Sequence, residues 1–331
     1  MTSTGTKPPA HAPAPAIAIE GLRKVYPGSK GPRAAGPVTA VDGIDLEVAP
    51  GEVFGLLGPN GAGKTTTVGV CTTRIRPTAG QVRVVGLDVT TDPARVKRSI
   101  GVVTQFNTLD RQCNVWENLY LHCRFFAMGA KVARERADEL LVIFHLSERA
   151  KASVYALSGG MAQRLQLAKA VAHYPKVLFL DEPTAGLDPQ SRLSLWDLVR
   201  DLKASGTTVL LTTHYMEEAD ALCDRVAIID HGQVLACDRP GPLKRSLGAD
   251  TVVELALTGD PSPVAAHLST IPGVSSAEPT ADGLRVMASG ADGVVAQVME
   301  AALPAGLRNL SVTEPTLETV FIALTGRDLR E

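Results

Sequence analysis

Apolar and polar positions follow three rhythms along the chain. Two early runs, AIAIEGLRKVY and TAVDGIDLEV, read as strands separated by PGSKGPRAAGP (Pro27–Pro37), whose turn formers predict a long hairpin loop in an antiparallel β subdomain. From Gly51 the pattern changes to short unbroken apolar runs, EVFGLLG, SIGVVTQ, KVLFLDEP, TTVLLTTH and RVAIIDHGQVLA, with helical stretches between them. Strands covered on both faces carry such runs, so this part predicts an α/β domain with a parallel or mixed sheet. Between Gln105 and Leu157 the strands stop, and NVWENLYLHCRFFAMG and KVARERADELLVIFHL carry apolar residues at helical spacing, which predicts a helical insert over about 106–160. After DRPGPLKRSLGAD the order becomes β-α-β-β-α-β, closed by the helix TLETVFIAL, which predicts a small ferredoxin-like α+β domain over 241–331.

The remaining bulk properties mostly exclude. Residues 1–16 are rich in Pro, Ala and Thr and read as a flexible tail without the charged-then-apolar order of a signal peptide. With 331 residues the chain has room for two domains, and 33 Lys+Arg against 35 Asp+Glu leave no overall field that argues for nucleic acid. Five scattered cysteines, none in a CxxC pair, fit a reducing compartment and read as small buried hydrophobes. No apolar run approaches the roughly 18–20 residues of a bilayer span, so any membrane part is expected from a partner.

The chemistry is concentrated in a few places. GPNGAGKTT (Gly58, Pro59, Asn60, Gly61, Ala62, Gly63, Lys64, Thr65, Thr66) follows an apolar strand and opens a helix, the context a phosphate loop requires. Its glycines let the backbone wrap a β-phosphate, Lys64 reaches the β- and γ-phosphates, Thr65 is placed to ligate Mg²⁺, and Thr66 meets the α-phosphate. VLFLDEP ends an apolar strand on two carboxylates: Asp181 is expected in the Mg²⁺ shell, and Glu182 is expected to polarise a water aimed at the γ-phosphate. Gln105 and His214 end two further strands; each alone reads as a capping residue, but the carboxyl edge of one α/β sheet is where ligands bind. Gln105 is expected to touch Mg²⁺ or the attacking water. A second glycine stretch, Ser158-Gly159-Gly160, opens a helix nearly a hundred residues after the first, although one triphosphate needs one cradle.

The ordered set GPNGAGKTT, Gln105, LSGGM, VLFLDEP, AGLD (Ala185–Asp188) and His214 resembles the ATP-binding cassette ATPases, the nucleotide-binding subunits of ABC transporters, over residues 17–240. The resemblance implies a P-loop NTPase fold binding ATP and Mg²⁺. It also implies that two cassettes pair head to tail, so that Ser158, Gly159 and Gly160 of one cap the γ-phosphate held by Lys64 of the other, with Asp188 in the loop beside it. Tyr26 matches the aromatic that stacks on adenine in this family; a strand-end core residue has the same signature. Met161 stands where Gln is usual, which leaves the Ser158 and glycine donors in place.

LTTHYMEEADALCDRVAIIDHGQVLACD and the ending EPTLETVFIALTGRD resemble the ATPases of bacterial drug- and lipid-type exporters of the daunorubicin-resistance group. The implied function is ATP hydrolysis driving export through a separately encoded permease at the cytoplasmic face of the membrane, with a second cassette, an identical chain, as partner. A cytosolic cassette ATPase acting on ribosomes or DNA, and an importer ATPase, are the competing classes. In the insert, Trp116, Leu119, Tyr120, Phe125 and Phe126 read either as the groove that receives the permease or as the insert's own core. The 241–331 domain is expected to be accessory or regulatory.

Overall fold

The computed structural model describes residues 14–28, 36–280, 282–289 and 291–326. Most of the expected tail and of the loop Pro27–Pro37 lies outside the described residues. The chain packs as two units, Met1–Leu235 and Ala236–Glu331.

In the first unit β1 (Ile17–Tyr26) and β2 (Val38–Val48) pair antiparallel, and β3 (Val53–Leu57) runs into α1 (Lys64–Cys71). β4 (Ala79–Val84), β5 (Leu87–Asp88), α2 (Pro93–Ser99) and β6 (Ile100–Val103) follow. The insert contributes α3 (Val115–Phe125) and α4 (Ala130–Ile143), and α5 (Gly159–Val171) begins where it ends. The chain then alternates through β7 (Val177–Asp181), α6 (Pro189–Ala204), β8 (Thr208–Thr213), α7 (Met216–Leu222), β9 (Arg225–Asp230) and β10 (Gln233–Asp238).

These strands form two sheets. One is antiparallel, in the order β2-β1-β4-β5. The other runs β10-β9-β3-β8-β7-β6, and β9, β3, β8, β7 and β6 are mutually parallel. Every residue of β3, β7 and β8 is buried, as the unbroken apolar runs require. Because all five parallel strands end at one edge, Gly58, Val103, Asp181, Thr213 and Asp230 are brought to the same side of the molecule.

Two segments differ from the sequence reading. RVAIIDHGQVLA is two strands, because His231 and Gly232 both adopt left-handed backbone (φ 47° and 78°) and turn the chain between β9 and β10. β4 and β5 had no apolar run to betray them. β4 buries only alternate residues near its end, and it is recruited as a strand by pairing with β1.

Of the five apolar residues singled out in the insert, one is buried and the other four are partly or largely exposed. Leu119 is fully buried, Trp116 stacks on Tyr120 with centroids 4.9 Å apart, and Phe126 stacks on His173 at 3.6 Å. Phe125 is exposed. Asn114 and Glu117 form a reciprocal capping box that starts α3.

The second unit holds α8 (Pro240–Arg245), β11 (Thr251–Leu257), α9 (Pro261–Leu268), β12 (Val274–Thr280), β13 (Gly283–Ala288), α10 (Ala291–Ala302), β14 (Leu307–Thr313) and α11 (Leu317–Thr325). Its sheet, β12-β13-β11-β14, is antiparallel throughout, the split β-α-β arrangement that the alternation predicts. Val253, Leu255 and Leu257 of β11 pack with Leu268, Val286 and Val298 in a core of their own.

Candidate active site

The loop between β3 and α1 is shaped by one glycine above all. Gly63 caps α1 with φ 102°, and a Cβ there would lie 2.4 Å from the Ala40 carbonyl oxygen. Among the described residues no side chain caps this helix, which leaves its N-terminal amides turned to the loop, the arrangement that suits an anion. α5 and α6 differ: Ser158 Oγ accepts from Met161 N at 3.3 Å, and Asp188 Oδ1 accepts from Ser191 N at 2.9 Å. Lys64 is buried beneath the loop and donates to the Gly58 and Pro59 carbonyls at 2.7 and 3.0 Å. Burial lowers its pKa, while Glu182 and then Asp181 act in the opposite direction.

At the end of β7 two adjacent carboxylates have different surroundings. Asp181 Oδ1 accepts from Thr65 Oγ1 at 3.1 Å and from Thr212 Oγ1 at 2.7 Å, which ties α1, β7 and β8 together. Two hard oxygens side by side, a hydroxyl and a carboxylate, are the donor set Mg²⁺ takes when water and phosphate complete its shell. Glu182 sits beyond the strand with φ 49°, its amide donating to Thr212. Its Oε1 lies 3.5 Å from Lys64 Nζ and 3.4 Å from His214 Nδ1, and its Oε2 accepts from Gln105 Nε2 at 3.3 Å. The histidine contact is not aligned as a hydrogen bond, since buried Nδ1 makes none.

Lys64, Thr65, Gln105, Asp181, Glu182 and His214 thus form one cluster at the carboxyl edge of β3, β6, β7 and β8. The other expected site residues stand elsewhere. Gly58, Pro59, Asn60, Gly61 and Ala62 form the loop above Lys64, and Thr66 is in the first turn of α1. Tyr26 ends β1, partly exposed, with Lys24 Nζ 5.0 Å from its ring centroid. Ser158 and Gly159 are exposed at the start of α5, and no hydrogen bond joins them to the cluster among the described residues. Gly160 is buried, and a Cβ on it would meet Ser191 Oγ at 2.4 Å, so its lack of a side chain lets α5 approach α6 closely.

Thr212 was not legible as a site residue. It lies inside an apolar strand, and only the pairing of β7 with β8 sets its hydroxyl between Asp181 and the Glu182 amide. A cavity of about 900 Å³ opens near Val177 and Thr208 at the opposite ends of β7 and β8 and shares no residue with the cluster.

Comparisons with known proteins bear on the family of this chain. The ABC transporter family model matches residues 41–185. A daunorubicin resistance ATP-binding protein of Streptomyces coeruleorubidus is 41% identical over 322 residues, 95% of this chain and 97% of that protein. The daunorubicin/doxorubicin resistance ATP-binding protein of Streptomyces peucetius is 43% identical over 95% of this chain and 93% of its own. Nod factor export ATP-binding protein I of Ralstonia nicotianae is 41% identical over 96% of each. A dimeric ATP-binding cassette solved in a post-hydrolysis state with ADP and Pi matches with a TM-score of 0.61 and 27% identity over 67% of this chain and 98% of that one. With near full-length identity above 40% to such proteins and the cassette architecture in its first unit, the chain belongs to the ABC transporter family, among its ATP-binding subunits.

Proposed function

We propose that this chain hydrolyses ATP to drive export through a separate membrane permease. The observation that carries the reading is the convergence of Lys64, Gln105 and His214 on the Glu182 carboxylate at one sheet edge. The loop amides and Lys64 bind the phosphates, and Asp181, Thr65 and Gln105 hold Mg²⁺, which when bound neutralises charge on the β- and γ-phosphates. Glu182 accepts the proton of the attacking water, and His214 orients that carboxylate. Tyr26 takes the adenine ring.

The exposed start of α5 supports a composite site. Ser158 and Gly159, with the loop at Asp188, meet the γ-phosphate on a second, identical chain, so ATP joins two cassettes and hydrolysis releases them. Among the described residues no helix is long and apolar enough to cross a membrane, in keeping with peripheral attachment at the cytoplasmic face through the permease. The drug- and Nod-factor-export names of the relatives favour export of an amphipathic compound over action on ribosomes or DNA. Mg²⁺-dependent ATP turnover by the purified chain, lost in Glu182→Gln while ATP binding persists, tests the reading. Turnover that survives the substitution overturns the role given to Glu182.

A further inference from the structure

α7 begins two residues after His214 and carries Glu218, a carboxylate with no exposed surface. A buried carboxylate is costly unless its partners compensate, so those partners indicate its role. Its Oε1 accepts from Trp196 Nε1 of α6 at 3.1 Å. The hydroxyls of Thr213 and Thr184 and the charge of Arg192 also favour the ionised form, against a burial penalty that outweighs them and raises its pKa. Oε2 and the Thr184 hydroxyl are nonetheless both buried without a hydrogen bond of ordinary geometry. That side of the network is attracted but not closed.

The partners flank the active cluster. Thr184 is two residues beyond Glu182, and Thr213 directly precedes His214 at the end of β8. A second route runs from Arg192, whose guanidinium lies 4.8 Å from the Tyr215 ring, to Tyr215, whose ring centroid is 4.1 Å from that of His214. Glu218 therefore joins α7, which begins two residues after His214, to α6 through Trp196, and its electrostatic partners Thr184 and Thr213 are chain neighbours of the two groups that meet at His214 Nδ1 and Glu182 Oε1.

We propose that Glu218 is a positioning residue that ties the start of α7, and with it the end of β8 that carries His214, to α6 through Trp196, and so sets the His214–Glu182 spacing during hydrolysis. The proposal rests on the ATP-hydrolysis reading above, and Glu218 touches neither nucleotide nor reacting atoms. An apolar side chain of similar volume fills such a site without the desolvation cost, so the carboxylate contributes alignment and not packing.

The test compares Glu218→Met and Glu218→Gln in the full chain by melting, ATP titration and steady-state turnover. The Met variant should melt within a few degrees of the parent and bind ATP within about threefold, with kcat lower by about tenfold or more and KM little changed. The Gln variant, whose amide can accept from Trp196 and donate to a threonine hydroxyl, should recover kcat to within about threefold of the parent. In a Trp116→Phe background, ATP should alter Trp196 fluorescence in the parent and the Gln variant but not in the Met variant. Should the Met variant not fold, Thr184→Val and Trp196→Phe each remove one partner and should lower kcat severalfold at unchanged ATP affinity. Parent-like kcat in the Met variant, or in both substitutes, overturns the proposal, as does a Gln variant as slow as the Met one. A parent chain that does not hydrolyse ATP overturns the underlying reading, and shows it before any variant is made.

Discussion

Lys64 Nζ stands 3.5 Å from Glu182 Oε1, and the two side chains are only 4% and 9% exposed. One buried cation and one buried carboxylate thus neutralise each other where opposite tasks are expected of them, phosphate binding and proton acceptance. Lys64→Ala should weaken ATP binding by about 10- to 100-fold, the loss expected when a hydrogen-bonded charge is removed. Glu182→Gln should retain binding while turnover falls by about 10²–10⁴-fold. Nucleotide titration and single-turnover hydrolysis separate the two, and unchanged affinity in the lysine variant would sink the phosphate-loop assignment.

Gly160→Ala should lower stability by about 1–3 kcal/mol, the usual range for forcing an added methyl into a packed contact. The added Cβ meets Ser191 Oγ at 2.4 Å and Ser191 Cβ at 2.8 Å. Ser191→Gly should recover part of that loss in a double-mutant cycle read by urea denaturation. Strict additivity would mean that the two helices do not meet there in solution.

If Ser158 serves the opposite subunit, Ser158→Arg should bind ATP through its own Lys64 yet fail to hydrolyse it, because both composite sites of a homodimer are spoiled. Mixing it with Lys64→Ala chains should restore part of the activity, since one site of the heterodimer combines an intact loop with an intact Ser158. Cysteines placed near Ser158 and Gly61 should cross-link only between chains and only with ATP. A cross-link within one monomer would end the head-to-tail model.

His122 offers a pH-dependent measure of the insert. Burial, helped by Lys169 and His173, lowers its pKa from 6.5 to about 4, and its Nε2 has no hydrogen-bond partner. Between those values the unfolded chain binds a proton that the folded chain refuses, so stability falls as pH drops from 6.5 towards 4. The loss reaches about 3 kcal/mol at the level of 1.36 kcal/mol per pKa unit. His122→Phe should flatten that slope, as read by denaturation at several pH values; an unchanged slope would place a charged imidazole in the folded insert.

The central sheet was legible because β3, β7 and β8 are buried on both faces and advertise it as unbroken apolar runs. The site was legible where chemistry forced residue types into short spacings, as at Gly58–Thr66 and Asp181–Glu182. Thr212 was hidden, since its hydroxyl matters only through strand pairing, and the same is true of Glu218, one of four acidic residues in MEEADALCD. β4 escaped because its partner β1 lies more than fifty residues away in the chain, and neither its length nor its pattern distinguishes it from a loop.

The left-handed backbone at Glu182 governs how any comparison of substituents there must be read. A residue with a Cβ is disfavoured at φ 49°, and Glu and Gln carry that handicap equally, so their difference reports the ionisable oxygen alone. Asp and Asn sit more easily in such backbone but are one methylene shorter. A panel of Glu, Gln, Asp and Asn at position 182 therefore varies charge along one axis and reach, together with conformational ease, along the other. A rate that follows charge assigns the chemistry to the carboxylate, whereas a rate that follows reach assigns it to the place where the chain holds that side chain.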